Sequence, residues 1–516
     1  MAVAAASPAA GGLLRVLALL AAAAVVLRPV AAKSAVLSLR EVVEERGAVG
    51  SSRYAVEKRA QMRGEHKKAG AARTATTVLE LKHHSLASIP DDPAARDRYL
   101  RRLLAADEAR AKSLQLRNRA EASTLSGQQQ AAAAAEVPLT SGIRFQTLNY
   151  VATIALGGGS GGAANLTVIV DTGSDLTWVQ CKPCSACYAQ HDPLFDPAGS
   201  ATYAAVPCNA SACAASLKEA TGTPGSCATS GGGGGEKCYY ALAYGDGSFS
   251  RGVLATDTVG LGGASLDGFV FGCGLSNRGL FGGAAGLMGL GRTELSLVSQ
   301  TASRYGGVFS YCLPASTSGN ASSSGSLSLG GDASSSSYRN TTPVAYTRMI
   351  ADPAQPPFYF LNVTGAAVGG APLSAAGLGA SNVLIDSGTV ITRLAPSVYR
   401  AVRTEFARQF GAGGAGYRAA PGFSILDTCY DLTGHDEVKV PLLTLRLEGG
   451  ADVTVDAAGM LFVVRKDGSQ VCLAMASLSY EDQTPIIGNY QQKNKRVVYD
   501  TVGSRLGFAD EDCTYV

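Results

Sequence analysis

Two aspartates, Asp171 and Asp386, carry the chemistry that this sequence can do. The first stands in Val168-Ile169-Val170-Asp171-Thr172-Gly173-Ser174 and the second in Val383-Leu384-Ile385-Asp386-Ser387-Gly388-Thr389, 386 − 171 = 215 residues downstream. Each motif runs three aliphatic residues into an acid, a hydroxyl residue and a glycine. That pattern describes a strand that turns sharply and leaves one carboxylate at its end. Asp-Thr-Gly or Asp-Ser-Gly alone is an ordinary turn sequence. Two copies behind matching strands instead suggest two similar lobes, each giving one carboxylate to a shared site. Two carboxylates within about 3 Å of each other cannot both ionise, so one pKa rises and the other falls. Such a pair can hold a water: the ionised member takes its proton while the protonated member donates to a carbonyl oxygen. The result is hydrolysis by general acid–base catalysis without a covalent intermediate. Either aspartate can be the ionised partner. Gly173 and Gly388 permit close backbone approach, and Thr172, Ser174, Ser387 and Thr389 supply hydroxyls and amides that can fix the carboxylates.

Competing chemistries lack their residues. Of five histidines, His66, His83 and His84 fall in the early basic segment, and neither His191 nor His435 stands in a motif with a nucleophilic Ser or Cys. No GxSxG, HExxH or P-loop is present, so neither a Ser or Cys triad nor a catalytic zinc is expected. Cys181-Lys-Pro-Cys184-Ser-Ala-Cys187 could open a zinc or iron–sulfur site, but no His-rich partner or second CxxC follows at ligand spacing. No metal and no cofactor is expected.

The elements that must position the two aspartates follow from the rest of the chain. With 516 residues, 46 % of them hydrophobic and only 16 % charged, and with 62 glycines and no collagen or heptad period, it reads as a two-lobed, largely β globular protein with many turns. Residues 13–27 form an apolar run broken by Arg15 and closed by Arg28, with Ala31 and Ala32 after it. This predicts a secretory signal peptide over residues 1–32, with a plastid transit peptide as the alternative. No other stretch is long and apolar enough to cross a membrane, so no span is expected in the mature protein.

Between Lys33 and Leu139 there are 19 Lys+Arg against 13 Asp+Glu, a net +6; from Leu139 onward there are 23 against 28, a net −5. A basic segment ahead of an acidic body could bind nucleic acid or a membrane, but it equally suits an electrostatic cover over that body, which is the reading adopted. Within it, Asp91-Asp92-Pro93 marks a helix start, with Tyr99, Leu100, Leu103 and Leu104 following at helical spacing. Residues 128–135 are a Gln/Ala-rich linker. Residues 33–138 are therefore read as a removable propeptide, with a disordered basic arm as the alternative.

From Leu139 the pattern changes to strands. Tyr150 to Leu156 alternates, residues 157–162 make a glycine loop, and Leu166 to Val170 returns to deliver Asp171. Tyr239 to Tyr244, running into Gly245-Asp246-Gly247-Ser248, describes a hairpin able to swing over a cleft. The run 358–363 precedes Asp386 as strand material. The first lobe is assigned to residues 139–343 and the second to 344–516, separated by the Ser-rich stretches 316–326 and 334–337. All 12 cysteines lie from Cys181 to Cys513, seven of them between Cys181 and Cys238. An even count confined to the folded body predicts disulfides in an oxidising compartment, ordering an insertion that buries little apolar surface. Five sequons, at Asn165, Asn209, Asn320, Asn340 and Asn362, agree with a secreted glycoprotein.

From Leu139 to Val516 the sequence resembles the pepsin-like aspartic proteases, and among them the nepenthesin-type plant branch. Leu287-Met288-Gly289 and Ile486-Ile487-Gly488 match the hydrophobic-hydrophobic-Gly element of each lobe. Tyr244 matches the flap tyrosine and Trp178, the only tryptophan, its hydrogen-bonding partner; as packing aromatics they would have no such role. The resemblance implies a mainly β, bilobal, double β-barrel fold with the active-site cleft between the lobes. It implies protein or peptide substrates bound along Tyr244, Gly173, Ser174, Gly388, Thr389, Gly245 and Asp246, with Trp178, Thr172 and Ser387 in support, and sensitivity to pepstatin. It also implies six disulfides: Cys181–Cys184, Cys187–Cys273, Cys208–Cys238, Cys213–Cys227, Cys312–Cys513 and Cys429–Cys472, a connectivity that the sequence by itself does not select. The chain lacks the saposin-like insert of vacuolar phytepsins. It departs from nepenthesins in its longer glycine runs and longer propeptide, which bear on sorting, substrate choice and activation.

The reading is an acid-active aspartic endopeptidase, made as a secreted zymogen and acting as a monomer in the apoplast or outside the cell, with chloroplast or vacuole as alternative locations. Two other functions fit the same pattern. One is a catalytically inactive binding protein like the plant xylanase inhibitors, which usually have a damaged Asp motif or flap, whereas both motifs and Tyr244 are intact here. The other is a plastid protease with nucleic-acid affinity, favoured only by the basic propeptide and the leader; no nucleic-acid partner is expected on the reading adopted.

Overall fold

A computed structural model of the chain describes residues 34–38, 76–77, 90–117, 134–141 and 147–513, apart from 160–161, 229–235, 245–247, 316–324, 332–337 and 380–381. The expected leader, the sequon at Asn320 and the hairpin-tip residues Gly245 and Asp246 lie outside the described residues.

The Asp92 side chain caps a helix, α1 (Pro93–Arg117), by accepting from the Ala95 amide at 2.6 Å, as the Asp-Asp-Pro start predicts. Strand β1 (Ala134–Ser141) follows and runs unbroken across residues 138 and 139, where the sequence reading ends the propeptide. It pairs with a strand of the first lobe at Gly325–Leu329 and with β2 (Tyr150–Leu156).

The first lobe is built by the expected hairpin. β2 pairs antiparallel with β3 (Ala164–Asp171), Val151 opposite Ile169, and β3 buries every residue from Leu166 to Asp171. A strand buried on both faces wants the continuous β-branched and aliphatic run that this one has. β4 (Trp178–Gln180), the flap strand β5 (Lys237–Ala243), the long pair β6 (Phe249–Leu261) and β7 (Ala264–Arg278), and β8 (Gly286–Gly289) complete it. β8 lies parallel to β3, with Gly289 opposite Asp171. The second lobe repeats the plan with β9 (Phe360–Val368), β10 (Asn382–Ile385), β11 (Thr392–Leu394), helix α2 (Pro396–Phe410) and β12 (Ile486–Ile487). β12 runs parallel to β10, Ile487 opposite Ile385. Each hydrophobic-hydrophobic-Gly element is thus the strand beside its own aspartate.

The lobes share a base. The strands Lys495–Asp500 and Arg505–Asp510, from the end of the chain, join a sixteen-stranded sheet through Val308–Cys312 of the first lobe. The main apolar core runs through both lobes, from Val168 and Val170 to Ile385 and Ile487.

All 12 cysteines are paired, but four of the six expected bonds are replaced. Cys312–Cys513 and Cys429–Cys472 form as expected. Cys181 instead joins Cys273, and Cys184 joins Cys187. The reason is register: β4 lies parallel to β7 with Val179 opposite Cys273, which brings the Cα of Cys181 to 5.4 Å from that of Cys273. Cys208 pairs with Cys227 and Cys213 with Cys238, not the reverse. Here a glycine decides the packing: Gly225 donates its amide to the Cys213 carbonyl at 2.7 Å, and any side chain there would strike the Cys213 and Cys238 sulfurs.

Candidate active site

Asp171 and Asp386 end β3 and follow β10, and both are fully buried where the lobes meet. Their surroundings are near-copies. Asp171 accepts from the Gly173 amide at 3.0 Å and the Ser174 hydroxyl at 2.6 Å; Asp386 accepts from the Gly388 amide at 2.9 Å and the Thr389 hydroxyl at 2.6 Å. Each glycine lies against the opposite aspartate: a methyl on Gly173 would come within 2.7 Å of an Asp386 oxygen, and one on Gly388 would collide with an Asp171 oxygen. The close approach read from the two glycines is therefore an approach across the lobe boundary.

Thr172 and Ser387 do something other than fix the carboxylates. The Thr172 amide donates to the Ser387 hydroxyl at 3.0 Å, the Ser387 amide to the Thr172 hydroxyl at 2.9 Å, and the Ser387 hydroxyl to the Val170 carbonyl at 3.0 Å. They clasp one lobe to the other directly beneath the dyad. Asn489 adds an N–H to the Ser387 carbonyl at 2.9 Å, a contact with no signal in the sequence.

Across the cleft, the Trp178 indole N–H donates to the Tyr244 hydroxyl at 3.1 Å, the pairing expected of these two residues. Phe281 stands edge-on to both rings, at 5.0 Å from Trp178 and 5.6 Å from Tyr244, and holds the flap residue over the site.

The sequence reading gave no role to Arg110. It projects from α1 between the two aspartates and donates to Asp171 through both terminal nitrogens, at 3.0 and 2.5 Å, and to Asp386 at 3.2 Å. Around it α1 packs into the cleft. Leu100 and Leu104 join Val390, Ile391 and Phe423, while Ala111 and Leu114 join Phe358, Phe360 and Ile486. Fully burying each leucine contributes about 1.5–3 kcal/mol. Asp107 accepts from the Val390 and Ile391 amides, and Arg393 bonds both Asp107 and Glu108.

Over the described part of the segment, the contacts have both polarities, where the sequence predicts a basic cover on an acidic body. Arg110 is a basic residue of α1 ion-paired to lobe carboxylates. Among the described residues, four further ion pairs place an acid of the segment on a base of the second lobe: Asp91–Lys466, Asp97–Arg465, and Asp107 and Glu108 with Arg393. Arg98, Arg101, Arg102 and Lys112 stay exposed. Net charge of a segment does not say which of its faces meets the partner.

The two carboxyls are driven apart. Burial pushes Asp171 up, but Arg110 and the Ser174 and Gly173 hydrogen bonds outweigh it and hold the group below its ordinary value. For Asp386, burial and the charge of Asp171 prevail over Arg110 and raise it. Burial also opposes the charge of Arg110, yet the two carboxylates outweigh that and keep it fully cationic. This split belongs to the docked state, because Arg110 is the main cause that lowers Asp171; two carboxyls this close still divide one proton between them once the arginine leaves.

A mainly β bilobal frame with this dyad defines the pepsin-like aspartic protease class. The families described as xylanase inhibitor N-terminal and xylanase inhibitor C-terminal match residues 150–331 and 358–510. An aspartyl protease family protein of Arabidopsis thaliana is 43 % identical over 73 % of this chain and 75 % of its own length. Aspartic proteinase nepenthesin-1 of Nepenthes gracilis is 34 % identical over 68 % and 76 %. Two crystal structures share the fold at 20 % identity: edgp, with a TM-score of 0.58 over 76 % of this chain and 99 % of that one, and an aspartic proteinase from Irpex lacteus, with 0.50 over 74 % and 98 %. The chain belongs to the pepsin-like aspartic proteases, in their nepenthesin-type plant branch.

Proposed function

We propose that this protein is an aspartic endopeptidase made as a zymogen, secreted, and active in acid once α1 leaves the cleft. One observation carries the reading: two fully buried aspartates, each with its complete set of amide and hydroxyl donors, lie beneath an intact Trp178–Tyr244 pair and are occupied by an arginine of the chain's own preceding segment. The ionised aspartate of the pair then takes the proton of the attacking water, and the protonated one donates to the carbonyl of the scissile bond. The six disulfides support an oxidising destination. The test replaces Asp171 or Asp386 with Asn in the full chain and follows cleavage of a peptide library in acid, with and without pepstatin. Loss of turnover by at least about a thousandfold supports the reading. Undiminished turnover in either variant would sink it.

A second reading has a specific observation behind it, because both matching family descriptions are of xylanase inhibitors. On that reading the same cleft frame serves binding alone. A chain that inhibits a fungal xylanase and cleaves no peptide after acid treatment would favour it over the peptidase.

A further inference from the structure

Asp107 of α1 sits in a receptor built for a carboxylate. One of its oxygens accepts from the Val390 amide at 2.5 Å, the other from the Ile391 amide at 3.1 Å and from the Arg393 guanidinium at 3.0 Å. Arg393 is only 1 % exposed, and its remaining terminal nitrogen donates to the Ile391 carbonyl at 2.7 Å, which fixes the guanidinium in place. Its Nε reaches Glu108 at 3.2 Å. Among the described ion pairs, both carboxylates that meet Arg393 belong to α1. When that helix leaves, the Nε and one terminal nitrogen of Arg393 and the Val390 and Ile391 amides lose these acceptors together.

We propose that in the activated protein this receptor selects an acidic side chain, Asp or Glu, in the substrate, with Arg393 as the specificity-determining residue. The inference rests on the peptidase reading above. Its position relative to the scissile bond follows from the helix. Asp107 precedes Arg110 by three residues, about 4.5 Å along the helix axis, and Arg110 lies on both catalytic aspartates. An extended chain advances about 3.3 Å per residue. The acidic side chain therefore belongs within two or three residues of the bond that is cut. A neutral residue leaves the guanidinium and amides to water, whereas a carboxylate restores charge-assisted hydrogen bonds, worth about a tenfold preference or more. A free C-terminal carboxylate has the same chemistry, so the test separates the two sources.

The experiment uses full chain activated in acid, or cut by an added protease between residues 118 and 133, and peptides in matched Asp/Asn and Glu/Gln pairs. The pairs are scanned over three positions on each side of the cut, at a pH above about 4.5, where a free carboxyl is ionised. At one position the acidic peptide should give about tenfold higher kcat/KM or more, amidation of the peptide C-terminus should leave that ratio unchanged, and Arg393→Gln should bring it near one. Equal ratios at every position, or a ratio that survives Arg393→Gln, overturns the proposal. A ratio lost on amidation assigns the receptor to a terminal carboxylate instead. Should Arg393→Gln not fold, the wild-type ratio and Arg393→Lys decide. If nothing is cleaved, the peptidase reading fails, and the receptor is judged by affinity. A synthetic peptide of residues 93–117 should then bind the processed chain about tenfold more tightly than its Asp107→Asn twin, and equal or absent binding overturns the proposal.

Discussion

Arg110 grips Asp171 with two parallel hydrogen bonds, from Nη1 to Oδ2 at 3.0 Å and from Nη2 to Oδ1 at 2.5 Å, and the second nitrogen also reaches Asp386. The guanidinium side chain is 14 % exposed and both carboxylates are wholly covered. Removing one partner of such a pair costs about 3–5 kcal/mol, because it leaves buried charge uncompensated. In Arg110→Met, undocking of α1 should ease by this amount. Amide hydrogen exchange across Pro93–Arg117 is expected to quicken by at least about a hundredfold, and unchanged protection would show that the apolar face alone holds the helix.

Docking of α1 should fail in acid, and the sign follows from the same contact. Arg110 lowers both aspartates, and Asp171 ends below its ordinary value of 3.8. A carboxyl held low in the docked state contributes docking free energy that is complete above its undocked pKa and is lost as pH falls through the docked one. Asp386 is raised and does not follow this rule, so the window is that of Asp171 and lies below about pH 4. Helix protection measured against pH should be flat near neutrality and drop in that window, and a loss of docking on raising the pH would contradict the assignment.

The parts of this site that sit in short local motifs were legible in the sequence. The two aspartates, the glycines, Ser174 and Thr389 are each fixed by strand-and-turn patterns that carry their own geometry, whereas the Trp178–Tyr244 pair came only from the family resemblance. Arg110 was not legible, because the segment's net charge says nothing about which of its basic residues faces inward. A partial signal exists in the helical spacing. Extending the face that contains Leu100 and Leu104 by one turn and then another reaches Asp107, Ala111 and Leu114, an acid on an otherwise apolar stripe, with Arg110 next to it. An ionisable residue on a buried face asks for a partner. The disulfide connectivity failed for a different reason: the Cys181–Cys273 bond depends on β4–β7 register, while the sulfurs of Cys208, Cys213 and Cys227 lie within 4.8 Å of one another and Gly225 leaves the room for Cys213 to meet Cys238, none of which spacing encodes.

That connectivity can be checked directly. Non-reducing digestion and mass mapping should recover Cys181 linked to Cys273, Cys184 linked to Cys187, Cys208 to Cys227 and Cys213 to Cys238. Cys181→Ser together with Cys273→Ser should then cost more stability than Cys184→Ser with Cys187→Ser, since the first bond closes a 92-residue separation and the second only three. Loop-closure entropy makes the difference about 2–3 kcal/mol. Comparable losses in thermal or urea unfolding would count against the 181–273 pairing.

The clasp between Thr172 and Ser387 is where the two lobes meet closest to the chemistry, and its reciprocity has a measurable signature. Each residue's amide depends on the other's hydroxyl, and both are buried. Thr172→Val leaves the Ser387 amide without its acceptor, and Ser387→Ala leaves the Thr172 amide without its acceptor and the Val170 carbonyl without the donor Ser387 supplies. Each single change should therefore cost about 1–3 kcal/mol, the penalty for an orphaned buried polar group. In the double variant both amides are already orphaned, so the second substitution adds no new loss at the first site; any departure from additivity reports the coupling through the shared backbone. If the clasp also sets the dyad, activity should fall further than stability. Both motif turns would then relax away from each other, and the approach of Gly173 to Asp386 and of Gly388 to Asp171 would loosen. Urea unfolding together with kcat/KM on the same variants separates these effects: loss of stability with unchanged kcat/KM would make the clasp a lobe fastener only.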